Sequence, residues 1–123
     1  WDAYALPPVE IVPKQGFFGT EARMEPGAVQ YIAPVRPASL SDDEGDAQAI
    51  LAEIERAALE VYRAYNARDL ARIDIIWYGA QARVFEVNVS PGMAERSLFP
   101  AACAAAGLSL SSVLNELVSQ YAK

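Results

Sequence analysis

Two β-branched and aromatic runs, 70–78 and 82–89, flank Gly79-Ala80-Gln81 and commit the middle of this chain to a β-hairpin. Side chains alternate between faces along a strand, so the register decides which residues meet. With a three-residue loop, Tyr78 pairs with Ala82, Asp74 lies opposite Glu86, and Arg72 lies opposite Asn88, all four on one face. A two-residue loop sets Asp74 against Phe85 and buries charge among Ile73, Ile75, Phe85 and Val87. Burial therefore selects the three-residue loop, and the hairpin itself assembles a polar face.

Opposed carboxylates on neighbouring strands repel unless a cation compensates them. Arg72 alone can do so as part of an ordinary solvated surface, and spacing leaves that reading level with a metal site. Asn88 favours the metal site, because Asp, Glu and Asn oxygens are what a hard cation such as Mg2+ accepts while it keeps waters and takes phosphate oxygens. Just beyond, Ser90-Pro91-Gly92 brings a backbone N–H into an exposed turn where it can donate to a developing oxyanion. The combination points to nucleotide chemistry.

The remaining segments frame the hairpin. Residues 9–13, entered through Leu6-Pro7-Pro8, read as a short edge strand. Residues 16–34 are punctuated by Gly16, Gly19, Pro26 and Gly27 and keep no helical period. They read as a long surface loop, a lid or binding loop as readily as a disordered excursion. Ser41-Asp42-Asp43-Glu44 is a capping box, and apolar residues recurring at three- and four-residue spacing between 47 and 65 continue it as an amphipathic helix laid on the sheet. Pro100 opens a short helix to Ala106 with Gly107 in its C-terminal cap position. A last helix, capped by Ser109 or Ser111, carries the stripe Val113, Leu114, Leu117, Val118 and Tyr121. The expected fold is α+β: one domain over residues 1–123, mainly antiparallel sheet with flanking helices.

Composition removes several classes of function. With 53% hydrophobic residues over 123 positions the chain can bury a core, and its net charge of −6 offers no basic footprint, so neither nucleic acid nor an anionic membrane is an expected partner. No apolar run approaches the roughly 18 residues of a membrane span, and no export signal opens the chain. The single cysteine, Cys103, sits in an alanine-rich segment as a small buried residue, and a reducing cytoplasm fits best. With no histidine, imidazole bases and His-ligated zinc are excluded. There is no G-x-x-x-x-G-K-[ST] or G-x-G-x-x-G, so a nucleotide would need another cradle.

Arg72-Ile73-Asp74, Glu86-Val87-Asn88-x-Ser90-Pro91-Gly92-Met93 and Ser97-Leu98-x-Pro100 resemble the C-terminal part of D-alanine–D-alanine ligases, of the ATP-grasp superfamily. Leu6-Pro7-Pro8-Val9-Glu10-Ile11, Gly16-Phe17-Phe18, Glu21-Ala22 and Ala105-Ala106-Gly107-Leu108-Ser109 extend the resemblance over nearly the whole chain. It implies an ATP-grasp C-terminal subdomain and a peptidoglycan-building ligase. ATP phosphorylates one D-alanine, and the amine of a second attacks the acyl phosphate. By matching position, Asp74, Glu86 and Asn88 are the implied ligands of two Mg2+ or Mn2+ ions, with Glu86 bridging. Arg72 and the Gly92 N–H are the implied oxyanion stabilisers, and Ser97, with Leu98 beside it, holds the second D-alanine's carboxylate.

The chain also departs from that pattern. Where the family's mobile loop usually carries a lysine reaching phosphate and then a tyrosine, this chain has Arg23 and Met24. Arginine can still neutralise phosphate as a fork, whereas methionine cannot donate the tyrosine's hydrogen bond. The missing histidine argues against relatives that join D-alanine to D-lactate, and Val89 and Ala94 replace common threonines. The family's N-terminal and central domains are absent, and the chain opens at Trp1 without an initiator methionine. The expectation is a ligase fragment inactive by itself. The alternative is a non-catalytic standalone remnant acting as an interaction module, whose exposed sheet leaves a homodimer open.

Overall fold

The computed structural model describes residues 2–14 and 27–122. In chain order these form β1 (Glu10–Pro13), β2 (Val29–Ile32), a 3-10 turn (Pro37–Ser39), α1 (Glu44–Ala64), β3 (Arg72–Tyr78), β4 (Gln81–Asn88), α2 (Leu98–Ala105) and α3 (Leu110–Ser119). The α+β class is as expected, with two two-stranded antiparallel sheets, β1–β2 and β3–β4. The edge strand expected at 9–13 is β1. Its partner β2 occupies part of the segment read as a loop, with Glu10 opposite Ile32 and Pro13 opposite Val29. A four-residue strand carries too little alternation to declare itself, and β2 exists because β1 offers it a ladder. Residues 15–26, and with them Arg23 and Met24, lie outside the described residues.

The hairpin corrects the expected turn. Tyr78 pairs with Gln81 rather than Ala82, leaving a two-residue connection in which Gly79 and Ala80 both have positive φ, 58° and 60°. These are the dihedrals of a type I′ turn, whose twist matches that of the flanking strands. From the turn the pairs run Trp77 with Ala82, Ile76 with Arg83 and Ile75 with Val84. The register then slips, and Asp74 faces Glu86, Ile73 faces Val87 and Arg72 faces Asn88. The slip is a β-bulge that leaves Phe85 unpaired and 57% exposed. A tight turn and the expected polar face differ by one residue, and the bulge absorbs it.

The helix α1 packs over β3 and β4, burying Ala47 and Ala57. It begins two residues later than the capping box implied. Asp43 is the N-cap and accepts from Asp46 N at 2.9 Å, while Ser41 Oγ accepts from Asp43 N and shapes the approach. Glu44 and Asp46 in the first turn and Arg63 in the last complement the helix dipole. The helix closes through Asn66 at φ 49°, with Asn66 N donating to Arg63 O and Ala67 N to Tyr62 O. Gly107, at φ 74°, ends α2 in the same way, as expected. Ser109 caps α3, accepting from Ser112 N at 3.1 Å. Leu117 is buried, but Val118 and Tyr121 of the expected stripe remain exposed; the Tyr121 hydroxyl donates to Asp69 at 2.6 Å. Cys103 is fully buried, as expected of a small apolar residue in α2.

Candidate active site

Alternation puts Arg72 and Asp74 on one face of β3, and the bulge sets Glu86 and Asn88 opposite them. Asp74 is buried, and both of its oxygens accept from Arg72, from Nε at 2.8 Å and Nη2 at 3.1 Å. The same Nη2 stands 3.7 Å from Glu86. One guanidinium is thus shared by two acids. Burial pushes the Asp74 carboxyl above its ordinary pKa, Arg72 pulls it back by hydrogen bonding and charge, and the neighbouring Glu86 adds to the rise.

Asn88 Oδ1 accepts from Ser90 N at 2.9 Å, pinning the turn that follows β4. An amide oxygen has a second lone pair, so this bond leaves it able to face a cation. Gly92 is exposed, and a Cβ there would stand 2.9 Å from Ser97 Oγ; glycine is what lets the turn and the start of α2 close on each other. Ser97 is the N-cap residue of α2, yet its side chain makes no capping hydrogen bond. The hydroxyl is therefore not committed to its own helix.

Arg72, Gly92, Ser97 and Leu98 line one cleft of about 240 Å³, and Asp74, Glu86 and Asn88 are not among its lining residues. The cleft also takes in Tyr31 and Arg96, which sequence reasoning passed over. Tyr31 was hidden in the unrecognised β2. Arg96 had a signal, a lone cation immediately before Ser97. Of the expected site residues only Arg23 lies outside the described residues.

Among the described residues no three His, Cys, Asp or Glu side chains form a ready-made metal cluster. The set here is two acids and an amide oxygen. It fits Mg2+, which binds through one or two carboxylates and otherwise keeps water and phosphate oxygens. Surplus negative charge around a buried Asp74 favours the same ion.

By sequence, the chain falls among the ATP-grasp ligases. The family described as "D-ala D-ala ligase C-terminus" matches residues 2–119, and the chain belongs to it. It is 35% identical over 114 residues to a D-alanine–D-alanine ligase of Desulforudis audaxviator (strain MP104C), covering 92% of this chain and 34% of that protein. A ligase of the same name from Syntrophobacter fumaroxidans (strain DSM 10017 / MPOB) is 37% identical over 116 residues, covering 93% and 34%. A third, from Desulfotalea psychrophila (strain LSv54 / DSM 12343), is 36% identical over 121 residues, covering 95% and 34%. The chain spans about a third of the length of these relatives. No single helix among the described residues is long and apolar enough to cross a membrane.

Proposed function

We propose that this chain is the C-terminal, metal-binding domain of an ATP-dependent D-alanine–D-alanine ligase and works with the nucleotide-gripping remainder of a longer protein. The observation that carries this reading is the register that sets Arg72 and Asp74 against Asn88 and Glu86, with Arg72 also lining a cleft together with Gly92 and Ser97. In the reaction the carboxylate of one D-alanine takes the γ-phosphoryl group of ATP and releases ADP. The amine of a second D-alanine then attacks the acyl carbon, loses a proton and expels phosphate as the peptide bond forms.

Asp74, Glu86 and Asn88 would hold Mg2+ or Mn2+, and the ion would supply positive charge against the phosphates. Arg72 keeps its guanidinium at the mouth of the site because Asp74 anchors Nε and Nη2. From there it and the exposed Gly92 N–H donate to the oxyanion of the tetrahedral stage, where fixed donors count most. Ser97 and Leu98 receive the carboxylate of the second D-alanine, which orients its amine toward the acyl phosphate. Arg23, outside the described residues, would contact phosphate. These substrates place the protein in the cytoplasm.

The test is ADP release and dipeptide formation by the full-length protein with D-alanine. No ATP turnover with D-alanine, or with any other D-amino acid or hydroxy acid, would sink the reading.

A further inference from the structure

Arg96 is the cation of the cleft that no described residue restrains. It is exposed and sits next to Ser97 in the chain; among the described residues its guanidinium has no hydrogen-bond or ion-pair partner. Arg72, the other cation in the lining, is held by both oxygens of Asp74. No acidic side chain lines this cleft among the described residues; Tyr31, Gly92, Ser97 and Leu98 are neutral. A positive charge at a cleft whose lining holds no acid favours an anionic occupant, and a guanidinium selects a planar carboxylate through two parallel charge-assisted hydrogen bonds. A serine hydroxyl alone makes no such selection, because it bonds an amide or an ester oxygen as readily as a carboxylate.

We propose that Arg96 is a specificity-determining residue that grips, together with Ser97, the carboxylate of the amino acid supplying the attacking amine. The proposal rests on the ligase reading above and adds to it a rejection rule: acceptors whose carboxylate is masked, such as D-alaninamide, are excluded for want of charge rather than by size.

The test compares wild type, Arg96→Ala and Arg96→Lys in the full-length protein. Arg96→Ala is expected to raise the KM for D-alanine as acceptor by about tenfold to a hundredfold, the usual range for losing a hydrogen bond to a charged group, with kcat and the KM for ATP near wild type. It is also expected to erase the preference for D-alanine over D-alaninamide. Arg96→Lys keeps the charge without the fork and should recover part of both. An unchanged acceptor KM and acid-over-amide ratio in Arg96→Ala would overturn the proposal. So would a rise confined to the KM for ATP, which would assign Arg96 to a nucleotide phosphate.

Calorimetric titration of the acid and the amide, with ADP and Mg2+ present, separates this from the parent reading. If wild type turns over no substrate but prefers the acid, and Arg96→Ala loses that preference, the ligase reading fails and the carboxylate subsite stands. If the preference survives Arg96→Ala, or is missing from wild type, the subsite fails whatever the turnover.

Discussion

Two arginine–carboxylate pairs in this molecule look alike and titrate in opposite directions. Arg36 grips Glu10 with Nε and Nη2, its backbone N–H adds a third bond, and the Ser39 hydroxyl adds a fourth. That surplus of donors holds the Glu10 carboxyl below its ordinary pKa, with the Arg36 side-chain bonds the largest cause. Arg72 grips Asp74 with the same two nitrogens, yet the Asp74 carboxyl is raised, because burial outweighs the arginine and Glu86 stands alongside. One acid saturated with donors ties β1 to the 3-10 turn and is complete. Two acids sharing one partly exposed guanidinium are incomplete, and that deficit suits a site that receives a cation.

Breaking each pair should show the difference. Arg72→Ala leaves Asp74 buried beside Glu86 without a cation. It should lower unfolding stability by roughly 2–3 kcal/mol, below the figure for a fully enclosed pair because Arg72 is partly exposed. It should also cut turnover of the full-length protein about 10²- to 10³-fold, as loss of an oxyanion donor does. Arg36→Ala should shift the denaturation midpoint less and leave turnover alone; equal losses of turnover would erase the distinction.

Glu86→Gln sharpens the contrast by separating stability from function. Removing a like charge across the strands should leave stability unchanged or raise it by about 0.5 kcal/mol. Mg2+ affinity, read by calorimetry, should nevertheless fall about tenfold or more. A variant that bound Mg2+ as tightly as wild type would take Glu86 out of the site.

The pH dependence of the two acids should have opposite sign. Glu10, with a lowered folded-state pKa, contributes stability that is present above its ordinary pKa and lost as pH falls through the lowered value. Asp74, with a raised one, contributes stability that is present below its ordinary pKa and lost as pH rises through the raised value. Difference profiles of denaturation against pH, wild type minus Glu10→Gln and wild type minus Asp74→Asn, should therefore slope in opposite directions. Saturating Mg2+ should flatten only the second.

Much of this was legible in the sequence, for reasons that differ by element. Periodicity exposed α1 and the hairpin, and the parity of a strand put Arg72, Asp74, Glu86 and Asn88 on one face before any turn was known. The turn itself was misread because a three-residue loop and a two-residue loop with a bulge deliver the same pairs at the far end. The start of α1 slipped because Ser41 and Asp43 are both good caps, each with an acid three residues on, and only the backbone decides between them. The strand β2 was invisible because its ladder depends on partners distant in the chain, Glu10 being paired through sheet rather than sequence with Ile32 and Ile11 with Tyr31. Arg96 was passed over because a lone exposed cation is ordinary until a cleft forms around it.

The smallest expected effect lies at the hairpin tip, where Ala80 occupies the left-handed region that favours glycine. Ala80→Gly should raise stability by about 0.5–1 kcal/mol and change neither Mg2+ affinity nor turnover. A change in Mg2+ affinity would mean that tip and site are mechanically connected.

The unpaired Phe85 makes that connection weak by design of the strand. It acts as an expansion joint: a residue gained or lost between the tip and Val84 can be taken up there, since one extra position is already parked outside the ladder. Length changes at the tip and the aim of Glu86 and Asn88 are thereby uncoupled, and the outer end of the hairpin is free to vary while the end that faces the cleft keeps its bearing.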